Sequence, residues 1–240
     1  MNKRSKQQLI IIGGFLFNQD PLQLLIDKLS NQYDIFFIDI NLLNNALNSL
    51  DNLCKIIYEK IRHENKFRKT NLMGWSLGGL ITLNLSILYP EQIEKVILLN
   101  STPKFIAEDN WHGIKQKDFN NLYDKFVTMD IINFTKYFIR LVNYPHRHYN
   151  FCVERIGSIL PNLSTKELIN RLEILNSTDL RLQLLNTKVQ ILAIYGGSDI
   201  LVPYNKLPCK QVIIDRLSHI VTKEYVNEVN KQIVEFLNDK

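Results

Sequence analysis

The stretch Asn71-Leu72-Met73-Gly74-Trp75-Ser76-Leu77-Gly78-Gly79-Leu80, continuing into Ile81-Thr82-Leu83-Asn84-Leu85, decides how the rest of the chain is read. An apolar run reaches a serine bracketed by glycines, and a second apolar run follows. Gly74-Trp75-Ser76-Leu77-Gly78 fits G-x-S-x-G, the pattern of a strand turning sharply into a helix with serine at the bend. Only small neighbours permit so tight an elbow, and it lifts the serine hydroxyl clear of the sheet edge. Gly79 lets helix and sheet pack closely. The pattern by itself also fits a purely structural turn, so the strand before it and the helix after it carry the argument.

On the N-terminal side, Leu9 to Ile12 is a β-branched run ending in Gly13-Gly14, which predicts a central strand opening into the loop Gly13-Gly14-Phe15-Leu16. Asp20 before Pro21, with Leu22, Leu24, Leu25, Ile26 and Leu29, predicts a helix. Asp34 to Ile40 reads as a strand, and Ser49 to Arg62 as a helix with Leu50, Leu53, Ile56, Ile57 and Ile61 inward. Past the elbow, a helix runs to Tyr89-Pro90 and a strand spans Glu94 to Leu99. This alternation is expected of a parallel sheet covered on both faces.

From Ser101 to about Thr187 the rhythm stops. Helical patterns around 118–127, 130–142, 148–159 and 165–176 follow one another and read as an inserted cap. Val189 to Tyr195 and Gln211 to Ile214 restore strands, and Val221 to Leu237 predicts a closing helix with Val226, Val229, Ile233 and Phe236 inward. The expectation is an α/β fold, a mostly parallel central sheet flanked by helices, with a core of residues 1–103 and 186–240 and a helical cap of 104–185.

At 240 residues the chain can form one such domain with an insertion, and 45% hydrophobic residues rule out wholesale disorder. The net charge of +5 is moderate, and no nucleic-acid recognition motif accompanies it. Cys54, Cys152 and Cys209 lie far apart with no C-x-x-C spacing, which fits a reducing cytoplasm. The basic start Met1 to Lys6 leads into an apolar run that Gly13-Gly14 interrupts, so it reads as a solvated leader and not a secretory signal. No segment is long enough to span a bilayer. His146 and His148 with Cys152 and Glu154 match no common zinc spacing, so no metal is expected.

A serine hydroxyl needs a base within reach and a group to orient that base. Of the five histidines, His63 lies at a charged helix end, His112 follows Trp111, and His146 and His148 flank Arg147. His219 sits between the last strand and the closing helix, where a loop returns to the sheet's C-terminal edge, and is the candidate base. Asp199 ends a strand in the turn Gly196-Gly197-Ser198-Asp199 and is the candidate acid, with Asp215 as its rival. The order Ser76, Asp199, His219 is that of α/β hydrolases. Backbone N–H groups of Leu77 and Phe15 are the candidate oxyanion hole.

With these residues placed, the sequence resembles the α/β-hydrolase superfamily and, more narrowly, the pimeloyl-acyl-carrier-protein methyl ester esterases of biotin synthesis. The narrower likeness rests on Gly74 to Leu80, on Asn110-Trp111-His112-Gly113-Ile114-Lys115, on Leu172-Glu173-Ile174-Leu175 with Thr178-Asp179-Leu180-Arg181, and on Tyr195 to Pro203. It implies hydrolysis of a carrier-bound methyl ester without a cofactor, with Ser76, Asp199 and His219 as triad. The family's usual His-Gly-Trp is Gly13-Gly14-Phe15 here, and Ile220-Val221-Thr222 departs from its pattern after the histidine. Trp75, Phe15, Phe134, Phe138 and Phe151 are candidates to line an acyl channel.

Residues 131–160 hold Lys136, Arg140, Arg147 and Arg155 against Glu154, a net +3 suited to docking an acidic acyl carrier protein. A carboxylesterase or thioesterase on another small acyl ester, and a non-catalytic binding protein of the same fold, are the alternatives. A cytoplasmic monomer contacting neither nucleic acid nor membrane completes the expectation.

Overall fold

The computed structural model describes residues 6–43, 49–65, 68–146 and 165–239. Six strands form one sheet in the order β2-β1-β3-β4-β5-β6: β1 (Gln7–Ile12), β2 (Tyr33–Ile38), β3 (Thr70–Trp75), β4 (Ile93–Leu99), β5 (Gln190–Gly196) and β6 (Lys210–Ile214). Every neighbouring pair is parallel. Strands buried on both faces read as unbroken apolar runs, and Leu9 to Ile12 is such a run, wholly inaccessible to solvent.

The faces are covered by α2 (Leu50–Asn65) and α3 (Leu77–Leu88) on one side and by α1 (Gln23–Leu29) and the closing helix on the other. The predicted strand Asp34 to Ile40 stops at Ile38, because Asp39 accepts the Asn41 N–H and starts a 3-10 turn over Ile40–Leu42. Asp20-Pro21 likewise opens a 3-10 turn that α1 continues.

Between β4 and β5 the described helices are α4 (Gln116–Thr128), α5 (Ile131–Asn143), α6 (Thr165–Ser177) and α7 (Arg181–Asn186). The predicted pattern at 148–159 lies outside the described residues. Buried Arg171 of α6 donates to the Ile40 and Leu43 carbonyls, tying the helical segment to the turn after β2.

The closing helix, α8, spans Val226–Asn238 and begins five residues later than Val221. Val221 is buried in the loop that carries His219, so its apolar character belongs to that loop and not to the helix. No helix among the described residues is long and apolar enough to cross a membrane.

Candidate active site

Strand order reverses at β1 and β3: the chain runs from β1 outward to β2, then crosses back to β3 on the other side. In open α/β sheets the carboxyl ends of such a pair border a crevice. The loop from Gly13 to Phe17 leaves β1 there, and the serine elbow leaves β3.

Ser76 adopts φ 56° and ψ −123°, a conformation that costs a non-glycine residue of order 1–3 kcal/mol. The surroundings enforce it. The Ser76 N–H donates to the Leu99 carbonyl at 3.1 Å, and the Ser76 carbonyl accepts from Gly79 N at 2.9 Å and Ser101 Oγ at 2.7 Å. A Cβ on Gly78 would sit 2.2 Å from the Ile12 carbonyl oxygen, and one on Gly74 2.3 Å from that of Gly78. These glycines serve close backbone approach, since no glycine among the described residues has a positive φ. Ser76 is the only residue from Thr70 to Ser86 that is not buried.

Asp199 and His219 meet at that edge. Asp199 Oδ2 lies 2.7 Å from His219 Nδ1, and Asp199 Oδ1 accepts the N–H groups of Leu201 at 2.9 Å and Val202 at 3.1 Å. Both carboxylate oxygens are thereby occupied, with the Asp199 side chain fully buried and that of His219 nearly so, which fixes the imidazole plane and directs Nε2 away from the acid. The rival Asp215 is almost fully exposed and pairs with Arg216 at 3.5 Å. His63 lies in the last turn of α2, His112 faces the Tyr204 carbonyl, and His146 faces that of Arg216. His148 is outside the described residues.

Leu77 is the first residue of α3, where an N–H has no partner within the helix. Neither its N–H nor that of Phe15 has a hydrogen-bond partner among the described residues. The Phe15 loop is held by Asn41, a residue that spacing did not single out. Its Oδ1 accepts from Leu16 N at 3.2 Å while its Nδ2 donates to the Phe17 carbonyl at 2.8 Å, and Leu16 sits at φ 71°.

Of the proposed channel aromatics, Phe15, Trp75, Phe134 and Phe138 belong to one packed group, and Phe151 lies outside the described residues. Phe15 meets Phe138 edge-on at 5.5 Å and Phe126 at 6.3 Å, while Phe17 links Phe138 to Trp75, each at 5.7 Å. Phe17 and Phe126 are members that the sequence reading missed. Phe134 is fully buried behind Phe126 and Phe138. Trp75 lies 5.7 Å from the His219 ring and donates its Nε1–H to the His219 carbonyl at 2.8 Å.

On α5, Phe134 and Phe138 face inward, while Lys136 and Arg140 are exposed. Arg147 and Arg155 are outside the described residues. The two ends of the helical segment meet through ion pairs. Lys104 contacts Glu108 at 2.8 Å and Asp179 at 3.2 Å, and Arg181 contacts Asp179 at 2.6 Å and Glu108 at 2.7 Å. Arg181 also stacks 5.3 Å over the Trp111 ring. The hydrogen bonds of Arg181 hold the Asp179 carboxyl down to about 2. No cluster of three potential metal ligands occurs among the described residues.

The sequence pattern of the alpha/beta hydrolase fold matches residues 14–220, and the chain belongs to that family; it is a hydrolase. It is 31% identical over 229 residues to the pimeloyl-[acyl-carrier protein] methyl ester esterase of Wigglesworthia glossinidia brevipalpis, covering 88% of this chain and 86% of the relative. The identically named protein of Pectobacterium carotovorum subsp. carotovorum is 24% identical, with 95% and 93% covered. Among solved structures, an esterase from Exiguobacterium antarcticum superposes with a TM-score of 0.83 at 18% identity, covering 98% of this chain and 93% of that one. A hydrolase from Oleispira antarctica gives 0.84 at 15%, with 99% and 93% covered. At those identities the structural likeness shows the fold alone.

Proposed function

We propose that the chain is a serine carboxylesterase that hydrolyses the methyl ester of pimeloyl-acyl carrier protein, giving pimeloyl-acyl carrier protein and methanol in biotin synthesis. The observation that carries the chemistry is the 2.7 Å Asp199–His219 hydrogen bond at the same sheet edge as the strained, partly exposed Ser76. Similarity to the two named esterases supports the substrate.

In the proposed mechanism His219 Nε2 takes the proton of Ser76 Oγ, and the alkoxide attacks the ester carbonyl. The oxyanion is held by the Phe15 and Leu77 N–H groups, of the kind whose removal costs about 2.7–4 kcal/mol. Collapse expels methanol, which takes its proton from His219. Water, deprotonated by His219, then attacks the acyl-serine and frees the carboxylic acid. Asp199 keeps Nδ1 protonated and steadies the imidazolium. These steps call on no cofactor or metal.

Residues 104–185 serve as the cap over a core of 1–103 and 186–240, with Phe15, Trp75 and Phe138 as the apolar wall of the acyl site and Phe134 packed behind it; Phe151, outside the described residues, remains a further candidate. Lys136, Arg140, Arg147 and Arg155 dock the acidic carrier. Lys136 and Arg140 are both exposed, one turn apart on α5. A cytoplasmic monomer fits this role.

The test is loss of the methyl group from pimeloyl-acyl carrier protein methyl ester, followed by mass, with Ser76→Ala alongside. Cleavage by the wild type and none by Ser76→Ala is expected; full activity of the variant removes the mechanism. Reversing Lys136 and Arg140 to Glu is expected to lower kcat/KM on the carrier-bound ester about tenfold or more while sparing a free methyl ester. Equal losses on both substrates remove the docking surface.

A further inference from the structure

We propose that Asn100 is a positioning residue that holds the acid and the base of the site in register. The inference rests on the triad reading above. Asn100 is the first residue beyond β4, whose neighbours are β3, leading to Ser76, and β5, leading to Asp199. Its backbone N–H still donates to the Ile194 carbonyl at 2.8 Å, but φ is 44°, in the left-handed region that asparagine tolerates better than most residues. That turn carries its side chain across the top of β5.

There the amide is fully buried and spans two loops. Nδ2 donates to the Ser218 carbonyl at 2.9 Å and to the His219 carbonyl at 3.0 Å, while Oδ1 accepts the Gly196 N–H at 2.7 Å. Only this orientation of the amide makes every contact a donor–acceptor pair. Gly196 opens the turn that bears Asp199, and the Asp199 N–H closes it on the Gly196 carbonyl at 3.1 Å. One amide therefore grips the acid's turn with its oxygen and the base's loop with its nitrogen.

The loop needs such a grip, because Ser218 to Val221 lies in neither strand nor helix. Among the described residues the His219 carbonyl is held by two side-chain donors, Asn100 and Trp75, and by no backbone N–H. The adjacent Ser101 bonds the Ser76 carbonyl, so two consecutive residues reach all three bearing loops.

Replacement tests the role. Asn100→Asp keeps size and an acceptor for the Gly196 N–H, but turns a carboxylate oxygen toward two carbonyls. Asn100→Ala removes every bond. With p-nitrophenyl butyrate, both variants are expected to lose on the order of 10²-fold in kcat with KM within about twofold of wild type, as a displaced catalytic group does. The far-downfield proton resonance of His219 Nδ1–H, present in the wild type and in Ser76→Ala, is expected to vanish or broaden in both.

Asn100→Ser, which retains one donor, is expected to fall between and serves if alanine prevents folding. Full kcat in Asn100→Asp, or an unchanged resonance in the folded variants, overturns the role while leaving the triad standing. Turnover by Ser76→Ala, or no downfield resonance in the wild type, overturns the triad and this role with it.

Discussion

The elbow after β3 and the junction at the two ends of the helical segment hold their residues by opposite means. At the elbow, backbone meets backbone. Gly74, Gly78 and Ile12 approach so closely that no side chain fits between them, and the strain at Ser76 is held by main-chain bonds and one buried hydroxyl. At the junction, four long charged side chains and a tryptophan face meet across partly exposed surface. The first arrangement cannot yield, and salt or acid barely reaches it. The second can loosen by rotamer changes and answers to both. If the helical segment is the cap proposed above, a rigid edge for chemistry is joined to a compliant attachment for that cap.

Ser76→Gly breaks the rigid half most completely. Turnover is expected to fall by roughly 10⁴-fold or more, yet release of the strained φ is expected to stabilise the fold by about 1 kcal/mol, read from urea midpoints. A variant that loses stability would mean that the elbow is not strained. Gly78→Ala drives a Cβ into the Ile12 carbonyl and is expected to cost about 3 kcal/mol, or to prevent folding.

Effects at the junction are smaller. Arg181→Ala removes bonds to Asp179 and Glu108 and a face-on contact with Trp111, a loss of about 1 kcal/mol that shrinks in high salt. Smaller still is the acid response. Because the Asp179 carboxyl is depressed, its contribution is complete above the ordinary carboxylate range and is lost as pH falls through about 2. Thermal midpoints of wild type and Arg181→Ala should therefore draw closer as that pH is approached, leaving the Trp111 contact as the remaining difference. A gap that does not narrow would mean that the Asp179 pairing adds nothing.

The inner strands β1, β3, β4 and β5 were legible because they are buried on both faces and read as largely apolar runs, each ending in or followed by glycine or a polar residue, whereas the edge strands β2 and β6 are only partly buried. Asp199 and His219 could be found because loops at strand ends fall on one edge whatever their length. Asn41, Asn100 and Ser101 could not. Each looks like ordinary punctuation after a strand, and its value comes from a loop that is distant in sequence, 118 and 119 residues away for the two carbonyls that Asn100 binds. The usable signal was their position, a hydrogen-bonding side chain just beyond a strand beside the switch in strand order. The misplaced start of α8 has a related cause. Helical periodicity and a buried loop both demand apolar residues, and Ile220-Val221 satisfied the wrong one.

The chain has two tryptophans, and their placement gives it two built-in optical reporters. Trp75 has its indole beside the His219 ring, and Trp111 lies beneath the Arg181 guanidinium. Emission from the first is sensitive to the charge on the imidazole, and emission from the second to whether the guanidinium stays in place. Trp111→Phe leaves a single tryptophan that follows the His219 ring, and the difference from wild type follows the junction. Two halves of one molecule can thus be watched separately by light, without a label.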